Sequence, residues 1–173
     1  MPNPDGVADA QRDDNSLGPA ELISAYEAGG DDLHAAIAGL TQEQLRLRPI
    51  PGKWSTLEVV CHIADCEQFF ADRMKRTLAM DRPLLVGADG SRYPDALSYD
   101  RHDRGEEVEL VVITRRQMAR VLRFSPPEAW QRTAIHTETG LVTLRQLLLH
   151  AINHLRHHLR FVAEKRAAIE KAD

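Results

Sequence analysis

Residues 150–158 read HAINHLRHH, so His150, His154, His157 and His158, four of the chain's eight histidines, fall within nine positions. Imidazole titrates nearest to neutral pH of all side chains and is the commonest protein ligand for divalent metals. Spacing carries more than number here. Two histidines four apart on a helix project to the same side, ~5–6 Å from one another, and can grip one ion. A single histidine on an apolar face is ordinarily hydrogen-bonded to a carbonyl, so it is the pair that raises the metal question.

A helical wheel at ~100° per residue gives each histidine a direction. With His150 at zero, Leu144, Leu147, Leu148, Ala151, Leu155 and Val162 fall at roughly 60–160°. His154 lands at roughly 40° and His158 at roughly 80°, both turned to the apolar side. His150 stands on the edge of that stripe, and His157 shares the polar side with Asn153 and Glu164.

A second helix repeats the pattern. Val59, Ile63, Phe70 and Met74 make its inner stripe, with His62 at the border beside Cys66. His62 is the third imidazole that a three-ligand site requires, and three protein ligands leave coordination open for water or substrate. Asp65, three residues on, suits either the orientation of an imidazole or water at such a site or a solvated helix face. Glu67 and Arg73 lie on or near the same stripe, which charged residues occupy when they line a cavity or pair with another helix. Cys66 fits core packing better than ligation. No HExxH, GxSxG, GxGxxG, P-loop or CxxC pattern occurs in the chain.

The elements that must position these residues follow from patterning. The chain has 173 residues, 43% of them hydrophobic and 28% charged, the balance of a single globular domain with a real core. Residues 1–16 hold few apolar side chains and are expected to form a mobile tail, leaving 17–170 as the folded domain. Apolar residues then recur at helical spacing from Leu22 to Leu40, interrupted at Gly29-Gly30, which predicts a kink or two shorter helices. Four Ser/Thr–x–x–Glu/Gln boxes mark helix starts at Thr41, Ser55, Ser125 and Thr143. They predict a short turn, a helix over about 55–80, a one- or two-turn helix after Ser125 and a helix over about 143–169, with a further helix from roughly 106 to 123. Residues 81–105 read as one long crossover loop, and TAIHTETGLVT at 132–142 as a short hairpin. The fold class is all-α, a four-helix bundle with a long crossover connection.

Charge and cysteines bound the partners. A formal charge of −4 with no basic run argues against nucleic acid and against an anionic membrane surface. The apolar runs are too short to span a bilayer. Cys61 and Cys66 cannot readily bridge on one helix, and two free thiols without a signal peptide suit a cytoplasmic protein.

The order LTQEQL, PGKWSTLEVVCHIADCE, a central helix and GLVTLRQLLLHAINHLRHHLRFV closely resembles the DinB/YfiT-like metalloenzyme family over about residues 17–162. Its most specific part is KWS–x–x–E–x–x–x–H combined with a late H–x–x–x–H. The resemblance implies a four-helix bundle whose metal is held by one histidine of the second helix and two of the last, which here are His62, His154 and His158. His150 matches a histidine that many members carry one turn earlier, where it is not a ligand. The resemblance further implies a divalent metal, zinc first with nickel or manganese as alternatives, and a small-molecule substrate. Thiol-dependent S-transferases, which use a low-molecular-weight thiol, and metal-dependent hydrolases both occur in the family, and homodimers are common. The expectation is thus a metal-dependent transferase or hydrolase with Asp65, Glu67, Arg73 and His150 around the metal. Its rival is a non-enzymatic metal-binding stress-response bundle.

Overall fold

A computed structural model describes residues 16–171. Its long helices are α1 (Pro19–Ile37), α3 (Thr56–Ala79), α5 (Arg104–Phe124) and α6 (Leu144–Glu170), with the short α2 (Gln42–Arg46) and α4 (Tyr93–Ala96) in the connections. Around the bundle, α1 packs on α5 and α6, and α3 packs on the same two, so the two histidine-bearing helices α3 and α6 are neighbours. The four-helix bundle is the expected one. The expected amino-terminal tail falls outside the described residues except for Ser16.

Three of the four boxes cap as expected. Thr41, Ser55 and Thr143 each accept the N–H three residues on, at 3.2, 3.1 and 3.2 Å, while Gln44, Glu58 and Gln146 accept the cap residue's own N–H. The fourth does not. The Ser125 hydroxyl donates back to the Val121 carbonyl at 3.0 Å, and Pro127–Gln131 forms a 3-10 turn behind Pro126 with no side-chain cap. Ser125 closes α5, and the next turn starts one residue later with Pro126 in the cap position.

Gly29-Gly30 does not break the first helix; α1 is continuous through both. The pair is there for packing. A Cβ at Gly29 would overlap the Arg115 guanidinium and a Leu155 methyl, and one at Gly30 would lie 3.1 Å from Val112 Cγ2. Side-chain volume removed from α1 is filled by α5 and α6.

The crossover is also more ordered than a loop. Leu84–Leu85 forms β1, and beyond it lie 3-10 turns at Gly90–Arg92 and Tyr99–Arg101, with α4 between them. β1 pairs in parallel with β2 (Thr133–His136), with Leu84 opposite Ile135, and β2 pairs antiparallel with β3 (Gly140–Thr143). The expected hairpin thus gains a third strand from the crossover. Along β2, Ala134 and His136 are buried and Ile135 is exposed, the alternation of a sheet with one face on the bundle.

Buried apolar side chains form two clusters, one holding Leu22, Tyr26, Phe70, Met74, Met118 and Leu148, the other Leu33, Leu57, Ile63, Val111, Leu155 and Val162. On each long helix the change from one cluster to the other falls near Gly29, Glu67, Arg115 and His154. That middle level is where the polar groups are.

Candidate metal centre

His62 occupies the second turn of α3, whose first turn is fixed by the Ser55–Glu58 box and by Arg48, which donates to the Glu58 carboxylate from Nε at 3.1 Å. His154 and His158 come from successive turns of α6. The three rings meet: His62 Nε2 lies 3.2 Å from His154 Nε2, and the His158 ring centroid is 4.6 Å from that of His62 and 4.4 Å from that of His154. One ligand nitrogen from each of the three falls within 4.8 Å of the others. They are 6%, 4% and 7% exposed, so no bulk water screens them.

Burial sets their charge. It pushes the His154 imidazole well below its usual pKa, and the neighbouring His158, His62, His150 and Arg115 push the same way. His158 is lowered to about 3, again by burial first and then by His62, His157 and Lys165. Both rings are neutral at neutral pH, the protonation state that binds metal. His158 Nδ1 is buried with no hydrogen-bond partner among the described residues. An orphaned buried nitrogen of this kind costs ~1–3 kcal/mol. Neutral imidazoles converging from two helices, with one nitrogen unsatisfied, fit a divalent cation.

The other sequence candidates take separate places. His150 is exposed, its ring edge-on to Phe70 at 5.1 Å and 6.3 Å from His154, outside the group of three. His157 packs on Phe161 at 4.7 Å. Asp65 accepts from the Tyr99 hydroxyl, tying α3 to the crossover. Glu67 is paired inside the bundle. Arg115 Nε donates to its Oε2 at 2.7 Å, the Tyr26 hydroxyl donates to Oε1, and the same guanidinium donates to the carbonyls of Tyr26 (2.8 Å) and Ala151 (3.0 Å). One ion pair therefore joins all four long helices. Arg73 donates to the Val86 carbonyl at 2.8 Å and lines a cleft.

That cleft, about 390 Å³, opens on the metal-site side. Its walls include His154, His150, Cys66, Phe70, Arg73 and, from β2, His136. Cys66 Sγ lies 3.7 Å from His62 Nε2, so the cleft reaches the edge of the three-histidine group. Backbone forms part of the same wall: a Cβ on Gly90 would lie 3.2 Å from His62 Nδ1, so the crossover rests on that ring.

The sequence reasoning passed over His136, Gly90 and Arg115. The signal for His136 was present, because strict alternation in TAIH turns its histidine inward with Ala134. Arg115 could have been inferred from Glu67, since a carboxylate on an inner stripe needs a cation.

Comparison with known proteins shows the family and the fold. A model of the DinB superfamily matches residues 25–162, and the chain belongs to that superfamily. A protein of Geobacillus thermodenitrificans named "Putative metal-dependent hydrolase" is 36% identical over 73 residues, 42% of this chain and 41% of its own length. A protein of Oceanobacillus iheyensis with the same descriptive name is 22% identical over 130 residues, 75% of each chain. The first match thus spans about two-fifths of that relative. Among solved structures, YfiT from Bacillus subtilis, described as "a probable metal-dependent hydrolase with an unusual four-helix bundle topology", superposes with a TM-score of 0.82 at 20% identity over 94% of this chain and 93% of its own. At that identity the likeness carries the fold.

Proposed function

We propose that His62, His154 and His158 hold one divalent metal ion, zinc in the first place, and that the chain is a metal-dependent hydrolase acting on a small molecule admitted by the cleft. The observation that carries this is the convergence of three buried imidazoles, two of them held neutral, with one nitrogen left unsatisfied. The names of the relatives support hydrolysis over other metal chemistry. A divalent ion held by these three residues would lower the pKa of a bound water towards about 7, or bind a thiol as its thiolate, and would polarise a carbonyl.

The chain's own residues supply the rest. Three neutral ligands leave the ion its full charge. Phe70 gives the cleft an apolar wall beside His154, and Gly90, on the wall of the same cleft, rests on the His62 ring. Glu67 and Arg115 hold α3 and α6 in register and so set the distance between His62 and His154. The ligand set itself uses no carboxylate.

The test is metal content and hydrolysis of an activated ester by the full chain, before and after treatment with a chelator. Zinc near one per chain, activity lost on chelation and regained with zinc, and neither seen in His154→Ala are the expected results. Activity that survives chelation and the His154→Ala substitution contradicts the proposal. Adding a low-molecular-weight thiol with an electrophile to the same samples decides between water and thiol as the nucleophile.

A further inference from the structure

Resting on the cleft as the substrate site, we propose that His136 is a substrate-binding residue that offers its Nε2–H to an acyl oxygen of a molecule seated beside the three histidines. No carboxylate or histidine of the sequence motifs fills this place, since it comes from the sheet and not from the bundle.

The geometry is specific about the tautomer. The Glu138 backbone N–H donates to His136 Nδ1 at 3.3 Å, so Nδ1 is the acceptor and the proton of the neutral ring sits on Nε2. Burial, followed by the Arg73 charge, holds the ring below its usual pKa against the opposing pull of Glu138, which keeps it neutral. Nε2 makes no hydrogen bond among the described residues, yet it is not one of the buried orphaned atoms. It is therefore open to the cleft that His136 lines. His154 is on the wall of the same cleft, so one molecule can touch both His136 and the metal-site rim.

The rest of the lining fixes the ligand class. Phe69, Phe70, Leu141 and Val142 make an apolar wall, His136 offers a donor, and Thr139, Gln146, Glu138 and Arg73, which donates to the Val86 carbonyl, complete the polar part of the lining. A small acyl compound, with a carbonyl or carboxylate oxygen next to an apolar group, matches both. A preformed donor aimed at an oxygen that gains charge in the transition state typically contributes ~10²–10³ in rate. His136 is neutral and partly reachable by solvent, so the lower end applies.

The experiment uses the full chain with and without zinc, para-nitrophenyl acetate as substrate probe and acetate as binding probe. Nitrogen NMR should show His136 as the Nε2–H tautomer, and acetate should shift its signal. His136→Phe should keep its zinc yet lose roughly 100-fold in kcat/KM, with His136→Gln, which retains an N–H, recovering part of it. An Nδ1–H tautomer, no shift with acetate, or an unchanged kcat/KM in His136→Phe overturns the proposal, as does loss of zinc from that variant. Wild type that takes up no zinc, or hydrolysis that survives in His154→Ala, defeats the metal-enzyme reading instead. In that case the tautomer and the acetate shift of the metal-free protein decide the role of His136.

Discussion

The four histidines of the chain's most concentrated stretch fall in three kinds of place, set by their direction on α6. His154 and His158 meet His62, whereas His157, one residue earlier, packs on Phe161 and His150 faces the open cleft. Substitution should sort them. His62→Ala, His154→Ala and His158→Ala should abolish or strongly weaken zinc binding in a titration, since each removes one of three ligands. His157→Ala should bind as wild type does, and His150→Ala should fall between, by no more than the ~10–100-fold typical of residues supporting a ligand. Equal affinities for His157→Ala and His154→Ala would contradict the assignment.

The same burial gives the metal-free protein a pH dependence. In an unfolded chain the His158 imidazole takes up its proton near pH 6.5; in the folded chain this is delayed to about 3. Between those values the unfolded state binds the extra proton, so stability falls as the pH drops through that window and is fully present above it. His154, also lowered, adds to the same slope. Urea midpoints of the apo protein should decline from pH 7 to 5, and His158→Gln should flatten the decline. A midpoint independent of pH in that interval would show that these rings are not buried neutral.

At the scale of elements, the sequence carried helix starts well and helix continuity poorly. Thr41, Ser55 and Thr143 were legible because a capping box is a local device that needs no partner elsewhere. Gly29-Gly30 misled because its reason is remote: the space belongs to Arg115 and Leu155, eighty or more positions away in the chain. His62, His154 and His158 were legible from spacing, since helix periodicity fixes direction. His136 was not, because its place depends on β2 pairing with a strand from the crossover. Two consequences can be measured. Gly29→Ala should destabilise by about 1–3 kcal/mol through overpacking, although alanine is the better helix former. Arg115→Ala should cost about 3–5 kcal/mol because it strands Glu67 in the core, where the pair is 1% and 2% exposed. Replacing both by apolar residues, Arg115→Met with Glu67→Leu, should recover much of that loss. A mild Arg115→Ala would mean that Glu67 finds another partner or a proton.

At the scale of the molecule, the long connection between α3 and α5 is a working part of the site. It is pinned to the bundle at Asp65 by Tyr99, at Glu107 by His102 (2.8 Å) and at Arg73 by the Val86 carbonyl. Just before the first of those pins along the chain, at Val86, it lends β1 to the sheet that carries His136, and between Val86 and Tyr99 it lays Gly90 on His62. Left-handed backbone at Arg82 (φ 40°) and Ser98 (φ 55°) turns the chain on either side of that stretch. Among the described residues no helix is long and apolar enough to cross a membrane. The bundle supplies the three proposed ligands, and the crossover with its sheet forms part of the cleft beside them. The most direct measurement of this account is anomalous diffraction from a crystal of the full chain grown with zinc. It should show one ion bonded at about 2.0–2.1 Å to a nitrogen of each of His62, His154 and His158, with its open side towards the cleft. Zinc found elsewhere, with His62 and His154 still hydrogen-bonded directly to each other, would contradict it.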